Sequence, residues 1–123
     1  MSDAGEFTEV STAATSRVEV VRLYTETWGH IVEQHPEFSS QIPSLEHAIV
    51  DTIVNPTLVC KSTTQPETTV VFASSNNVNG TGRMLSVPVR IVGSTTSGRV
   101  TTAMFGSPPR GDVIFDAEGG END

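Results

Sequence analysis

The sequence predicts an α+β fold: an N-terminal strand and two helices packed on an antiparallel sheet of about four strands. Two observations carry this. Between residues 25 and 55 the apolar residues recur at helical spacing, and after Pro56 they alternate, as in strands with one buried face. A third sets the limits of the domain. The ends of the chain are small, polar and acidic, whereas 17–111 alone has the density of apolar residues that a core needs. The expected organisation is a disordered acidic tail over 1–16, one domain over 17–111, and a second acidic tail over 112–123.

Each element has its own warrant. Arg17 to Leu23 (RVEVVRL) is β-branched and roughly alternating, so it reads as the first strand. A helix follows, capped by Thr25 or Thr27, with Trp28, Ile31 and Val32 spaced as a single buried stripe requires. Pro36 stops it near His35, because a residue before proline disfavours helical geometry. The second helix opens at Pro43 or Ser44. It places Leu45, Ile49 and Ile53 on one face, and Asn55-Pro56 closes it. Then TLVCKS (57–62), TTVVFAS (68–74), MLSVPVRIVG (84–93) and RVTTAMF (99–105) read as four strands separated by turn-forming segments. Within 113–115, Val-Ile-Phe is either a short edge strand or an apolar patch in a tail.

The net charge of −8 is unevenly spread. Residues 17–60 hold two basic and six acidic side chains, while 61–111 hold five basic and one acidic. Overall acidity is therefore weak evidence against an anionic substrate. The lone Cys60 excludes an internal disulfide and suits a reducing interior. No apolar run approaches the length of a membrane span, and MSDAGEFTEV lacks the features of a leader peptide. The expectation is a cytoplasmic protein that needs no membrane.

The segment WGHIVEQHPEF (28–38) carries the chain's most suggestive polar residues. Five positions apart on a helix, His30 and His35 diverge by about 140°, which argues against a shared metal ion. The third histidine and single cysteine add no zinc spacing, so neither a metal nor a cofactor is expected. Proton transfer makes no such demand. Cleaving RNA at its own 2′-hydroxyl needs a base, an acid and donors for the phosphate charge. Histidine suits both proton roles, and arginine and lysine suit the phosphate. The candidates are His30 and His35 for protons, Lys61, Arg90 and Arg99 for charge, and Ser62, Thr101 and Thr102 as hydroxyl donors. Plainer readings stand beside these. His35 can be a helix C-terminal residue favoured by the helix dipole, and His30 or His47 can face solvent. Arg90 can guard an edge strand, and Trp28 and Cys60 can be core residues.

The order of motifs goes further. W-x-H-I-x-x-x-H-P-E (Trp28, His30, Ile31, His35, Pro36, Glu37) is followed by I-x-x-T-I-x-x-P (Ile49, Thr52, Ile53, Pro56). V-x-x-S (Val59, Ser62), VPVRIV (87–92) and VTTAMF (100–105) come after it. This series resembles the phage-associated nuclease-fold domains grouped with barnase, EndoU, colicin and RelE-like toxins, the BECR nucleases. The resemblance spans about residues 17–106. It implies a metal-independent, toxin-like endoribonuclease of phage or mobile-element origin, with RNA as substrate and a protein inhibitor or antitoxin as a second partner. The family histidines would fall on His30 and His35, the acidic residue on Glu37, and the early-strand serine on Ser62. The strand-borne basic residue would fall on Arg90 and the last-strand hydroxyl on Thr102. Such domains commonly end in T-A-Y or T-A-F, whereas Thr102-Ala103-Met104-Phe105 shifts the aromatic by one. The alternative function is a non-catalytic interaction module that keeps the fold and binds a protein partner. A third reading makes the acidic tails nucleic-acid mimics that occlude a basic sheet face.

Overall fold

The computed structural model describes residues 6–34, 45–75, 83–117 and 119–121. Its sheet is twice as extensive as the sequence suggests. Nine strands are described: β1 (Phe7–Thr15), β2 (Val18–Tyr24), β3 (Leu58–Lys61), β4 (Thr69–Ser74), β5 (Met84–Ile91), β6 (Ser97–Val100), β7 (Met104–Gly106), β8 (Val113–Asp116) and β9 (Gly120–Glu121). Two helices accompany them, α1 (Thr25–Gln34) and α2 (Leu45–Val54). The strands form one curled sheet in the order β1-β2-β6-β5-β4-β3-β8-β9, with β7 also on β5. The expected four-stranded, BECR-like α+β architecture is therefore corrected to a predominantly β fold.

The predicted meander is present at the centre of this sheet: β3, β4, β5 and β6 pair antiparallel in sequence order. The rest of the sheet lies on both flanks. On one side β1 and β2 form a hairpin, and β2 joins β6 in parallel. On the other, β8 pairs with β3 and β9 with β8. β2 is the predicted first strand and β8 the strand alternative offered for 113–115, whereas β1 lies in a segment expected to be a disordered tail. Residues 7–15 are small and polar, yet Val10, Thr12 and Ala14 are buried in alternation while Ser11 and Ala13 are exposed. A strand can bury Thr and Ala where its partner is a closely packed helix.

That helix is α2. Ala48, Ile49 and Ile53 are buried against Val10, Val59, Phe72, Leu85, Val87 and Val89, so the sheet wraps the helix. Thr12 donates its hydroxyl to the carbonyl of Ile53 at 2.7 Å, satisfying one of the acceptors that a helix end leaves orphaned. Helix α1 packs on β2 through Ile31, and Trp28 is half-buried against the same core.

Parity assigns every central residue to a face. Val70, Phe72, Leu85, Val87, Val89 and Val100 point to the helices, and Thr69, Val71, Ser86, Pro88 and Arg90 point away. Pro88 lies in an interior strand, where a missing N–H should break the ladder. Its carbonyl accepts from Thr101 N–H at 3.1 Å, so its missing donor faces 101–103. There the register slips by one residue between β6 and β7. The single predicted strand over 99–105 is thus two strands with a bulge.

Candidate functional site

The face away from the helices carries an open cleft of ≈ 730 Å³ over the middle of β4 and β5. Its floor is Val71, Ser86 and Pro88. One wall is the turn after β3, Ser62 to Gln65, and the other is the segment from Ser107 to Gly111. Lys61, Arg90 and Arg110 supply positive charge, and Thr69 and Thr101 add hydroxyls.

The walls are held by ordinary backbone chemistry. Ser62 Oγ accepts the N–H groups of Thr64 (3.3 Å) and Gln65 (3.1 Å), closing a tight turn. Thr64 Oγ1 lies 3.3 Å from the same oxygen, so the Ser62 proton can serve Thr64 or a ligand. The other wall connects β7, beside β5, to β8, beside β3. It must therefore cross this face, since α2 fills the opposite one. Pro108 and Pro109 suit an extended path. At its end Lys61 N–H donates to the carbonyl of Asp112 at 2.8 Å. Gly111 lies so close that a Cβ there would overlap the Lys61 carbonyl oxygen.

The predicted site residues separate into three groups. Lys61, Ser62 and Arg90 meet in the cleft. Arg90 belongs to β5, between β4 and β6, so the edge-strand reading of it is corrected. Arg99 is the direct partner of Arg90 on β6 and shares its face, just outside the cleft lining. Thr102 does not line the cleft; the bulge at Pro88 leaves Thr101 over it instead. His30 does not join them. It is exposed on α1, whose Ile31 packs on the helical side of the sheet, so His30 and Arg90 stand on different layers. His35 and Glu37 lie outside the described residues. Among the described residues, the cleft lining contains no histidine or carboxylate.

Sequence reasoning missed Arg110 and Arg22. Arg110 follows a Pro-Pro pair in what read as a loop, with no periodicity to place it. Arg22 occupies an alternating position in RVEVVRL, and that alternation was the available signal. Cys60 is buried beneath this face, and burial, reinforced by the negative charge of Asp112, pushes its thiol pKa up. It is fully buried in the sheet. His47 is exposed. Among the described residues no cluster of His, Cys, Asp and Glu could hold a metal ion, and no helix is long and apolar enough to cross a membrane.

Compared with protein-family models, curated proteins and solved structures, the chain finds no match.

Proposed function

We propose that this protein acts on RNA, taking the phosphodiester backbone into the cleft on the face away from the helices. The observation that carries the reading is the convergence of Lys61, Arg90 and Arg110 with Ser62 and Thr101 over one open floor. Arginine offers two parallel hydrogen bonds to a phosphate, lysine adds a point charge, and the hydroxyls complete the set of donors. Such an arrangement is concentrated in the one part of an acidic chain with excess basic residues. The buried Cys60 thiol fits work in the cytoplasm, and an acidic inhibitor protein would compete for the same cleft.

In the metal-independent ribonuclease reading, Arg90 and Lys61 bear the phosphate charge, and His35 is the remaining candidate for proton transfer. A specific observation favours the second reading, a non-catalytic module: the described lining lacks a proton-transfer group and His30 is on the other layer. One experiment separates them. Purified protein is incubated with total RNA in EDTA, alongside His30→Ala, His35→Ala and Arg90→Ala, and RNA binding is measured in parallel by fluorescence anisotropy. A ribonuclease cuts RNA, keeps its activity in His30→Ala and loses it in the other two. A binding module leaves RNA intact and loses affinity only in Arg90→Ala. Neither cutting nor binding by the wild type would sink the proposal.

A further inference from the structure

Directly paired residues on neighbouring strands share a face of the sheet. Glu9 pairs with Arg22, Arg22 with Arg99, Arg99 with Arg90, and Arg90 with Thr69. Three arginines therefore stand abreast on β2, β6 and β5, their backbones ~4.8 Å apart from strand to strand. Like charges placed directly opposite one another destabilise a sheet. Only the outermost is answered: Arg22 Nε meets Glu9 Oε2 at 3.2 Å. Among the described residues Arg90 and Arg99 have no acidic partner.

The two ends of the row differ in character. Beyond Arg90 it enters the cleft at Thr69, whose carbonyl accepts from Ser62 N–H at 3.0 Å. At the Arg22 end are two aromatic rings. The Arg22 guanidinium lies 4.5 Å from the centroid of Phe7, and Phe7 packs against Tyr24 with centroids 5.2 Å apart. Phe7 is 43% exposed, leaving ring surface for another flat group. From Arg22 on β2 to Thr69 on β4 the row spans three strand spacings, ~14 Å. That is longer than one nucleotide covers.

We infer that Arg22, Arg99 and Arg90 form a track for the phosphates of single-stranded RNA, leading from a base-stacking end at Phe7 into the cleft. Guanidinium groups along a backbone path, with an exposed aromatic beside them, are what sequence-tolerant single-strand binding requires. The inference rests on the RNA reading of the cleft and adds residues outside it. Glu9 acts as a brake, holding Arg22 away from a phosphate.

The test is anisotropy with a labelled oligouridylate, titrated against salt. Arg99→Gln should weaken binding about tenfold or more, with Arg99→Lys intermediate. The slope of log affinity against log salt should fall by about 0.7, the value for one single-strand phosphate contact. Glu9→Gln should tighten binding, an outcome that mere disruption of the sheet would not produce. Uridine triphosphate should bind more weakly than the oligomer, because it cannot reach both the track and the cleft. Unchanged affinity in Arg99→Gln together with loss in Lys61→Ala would overturn the track and leave the cleft reading standing. Loss in neither variant, or no binding by the wild type, would overturn both. Equal binding of an acidic peptide of matched charge would also overturn it, in favour of a protein partner.

Discussion

Gly98 is where two strand pairings and the core meet, and replacing it by alanine gives a sharp test of the packing. It pairs with Val21 on β2 and Ile91 on β5, with its α-carbon aimed at the core. A Cβ there would stand 2.5 Å from Val89 Cγ1, 3.2 Å from the Arg90 carbonyl oxygen and 3.4 Å from Val18 Cγ1. Carbon atoms settle at about 3.5–4.0 Å, so Val89 would have to yield by roughly 1 Å. Val89 is fully buried in an interior strand and has nowhere to go. Alanine should recover about 0.5–1 kcal/mol by restricting the unfolded chain. Overpacking should cost about 1–3 kcal/mol, leaving a net loss of roughly 1–2 kcal/mol. Val89→Ala alone should lose about 2–3 kcal/mol through two deleted methyl groups and the cavity. In the double variant the methyl group introduced by Gly98→Ala takes the place of Val89 Cγ1, so the two losses should fall short of additivity by about 1–2 kcal/mol. Urea unfolding followed by the fluorescence of Trp28, the single tryptophan, measures all four proteins. Gly98→Ala more stable than wild type, or strict additivity, would falsify this account of the β2–β6–β5 junction.

Two further predictions concern buried polar groups. Thr12→Val keeps the shape of the side chain but removes the donor to Ile53, leaving a buried carbonyl at the end of α2. It should lower the urea midpoint by an amount equivalent to about 1–3 kcal/mol, while Thr12→Ser keeps most of the stability. Cys60 sets a pH dependence. Its thiol pKa is raised in the folded state by burial and then by Asp112, so the unfolded chain ionises first. The contribution is whole below the unfolded thiol pKa and is lost as pH rises from there through the folded one. Between about pH 8 and 10 the wild type should lose more stability than Cys60→Ala, and parallel curves would rule the effect out.

The parts of the fold legible in the sequence were those whose pattern is local. The spacing of Ile49 and Ile53 announced α2, and the alternation of Leu85, Val87 and Val89 announced β5, because large apolar residues at a fixed period admit one element. β1 was misread because its buried positions are Val10, Thr12 and Ala14, and two of those three are small or polar. A strand that packs on a helix backbone needs little side chain there, so composition alone suggested a tail. For 113–115 a short strand is one of two readings the sequence allows, and β8 is that strand; β9 had no apolar pattern to announce it. Asp116 is exposed, and β8 is held by its pairing with β3 at Leu58, Val59 and Cys60 and by the buried Ile114, contacts that no local pattern announces.

The candidate site divides in the same way. From the sequence alone, the excess of basic residues in 61–111 and the interruption of an apolar strand by Arg90 marked where positive charge would gather. Local chemistry also determined the two helices, the central meander and the turn at Ser62. Which charges stand together was decided by tertiary structure. Arg22 and Arg99 are far apart in the chain and become neighbours through the parallel pairing of β2 with β6, a contact that no local pattern encodes. His30, the proton-transfer candidate, lies on the helical layer, away from Arg90, the candidate for the phosphate charge. Side-chain type is written residue by residue, whereas the face on which a side chain emerges depends on strand register and on the bulge at Pro88, and these are set by long-range packing.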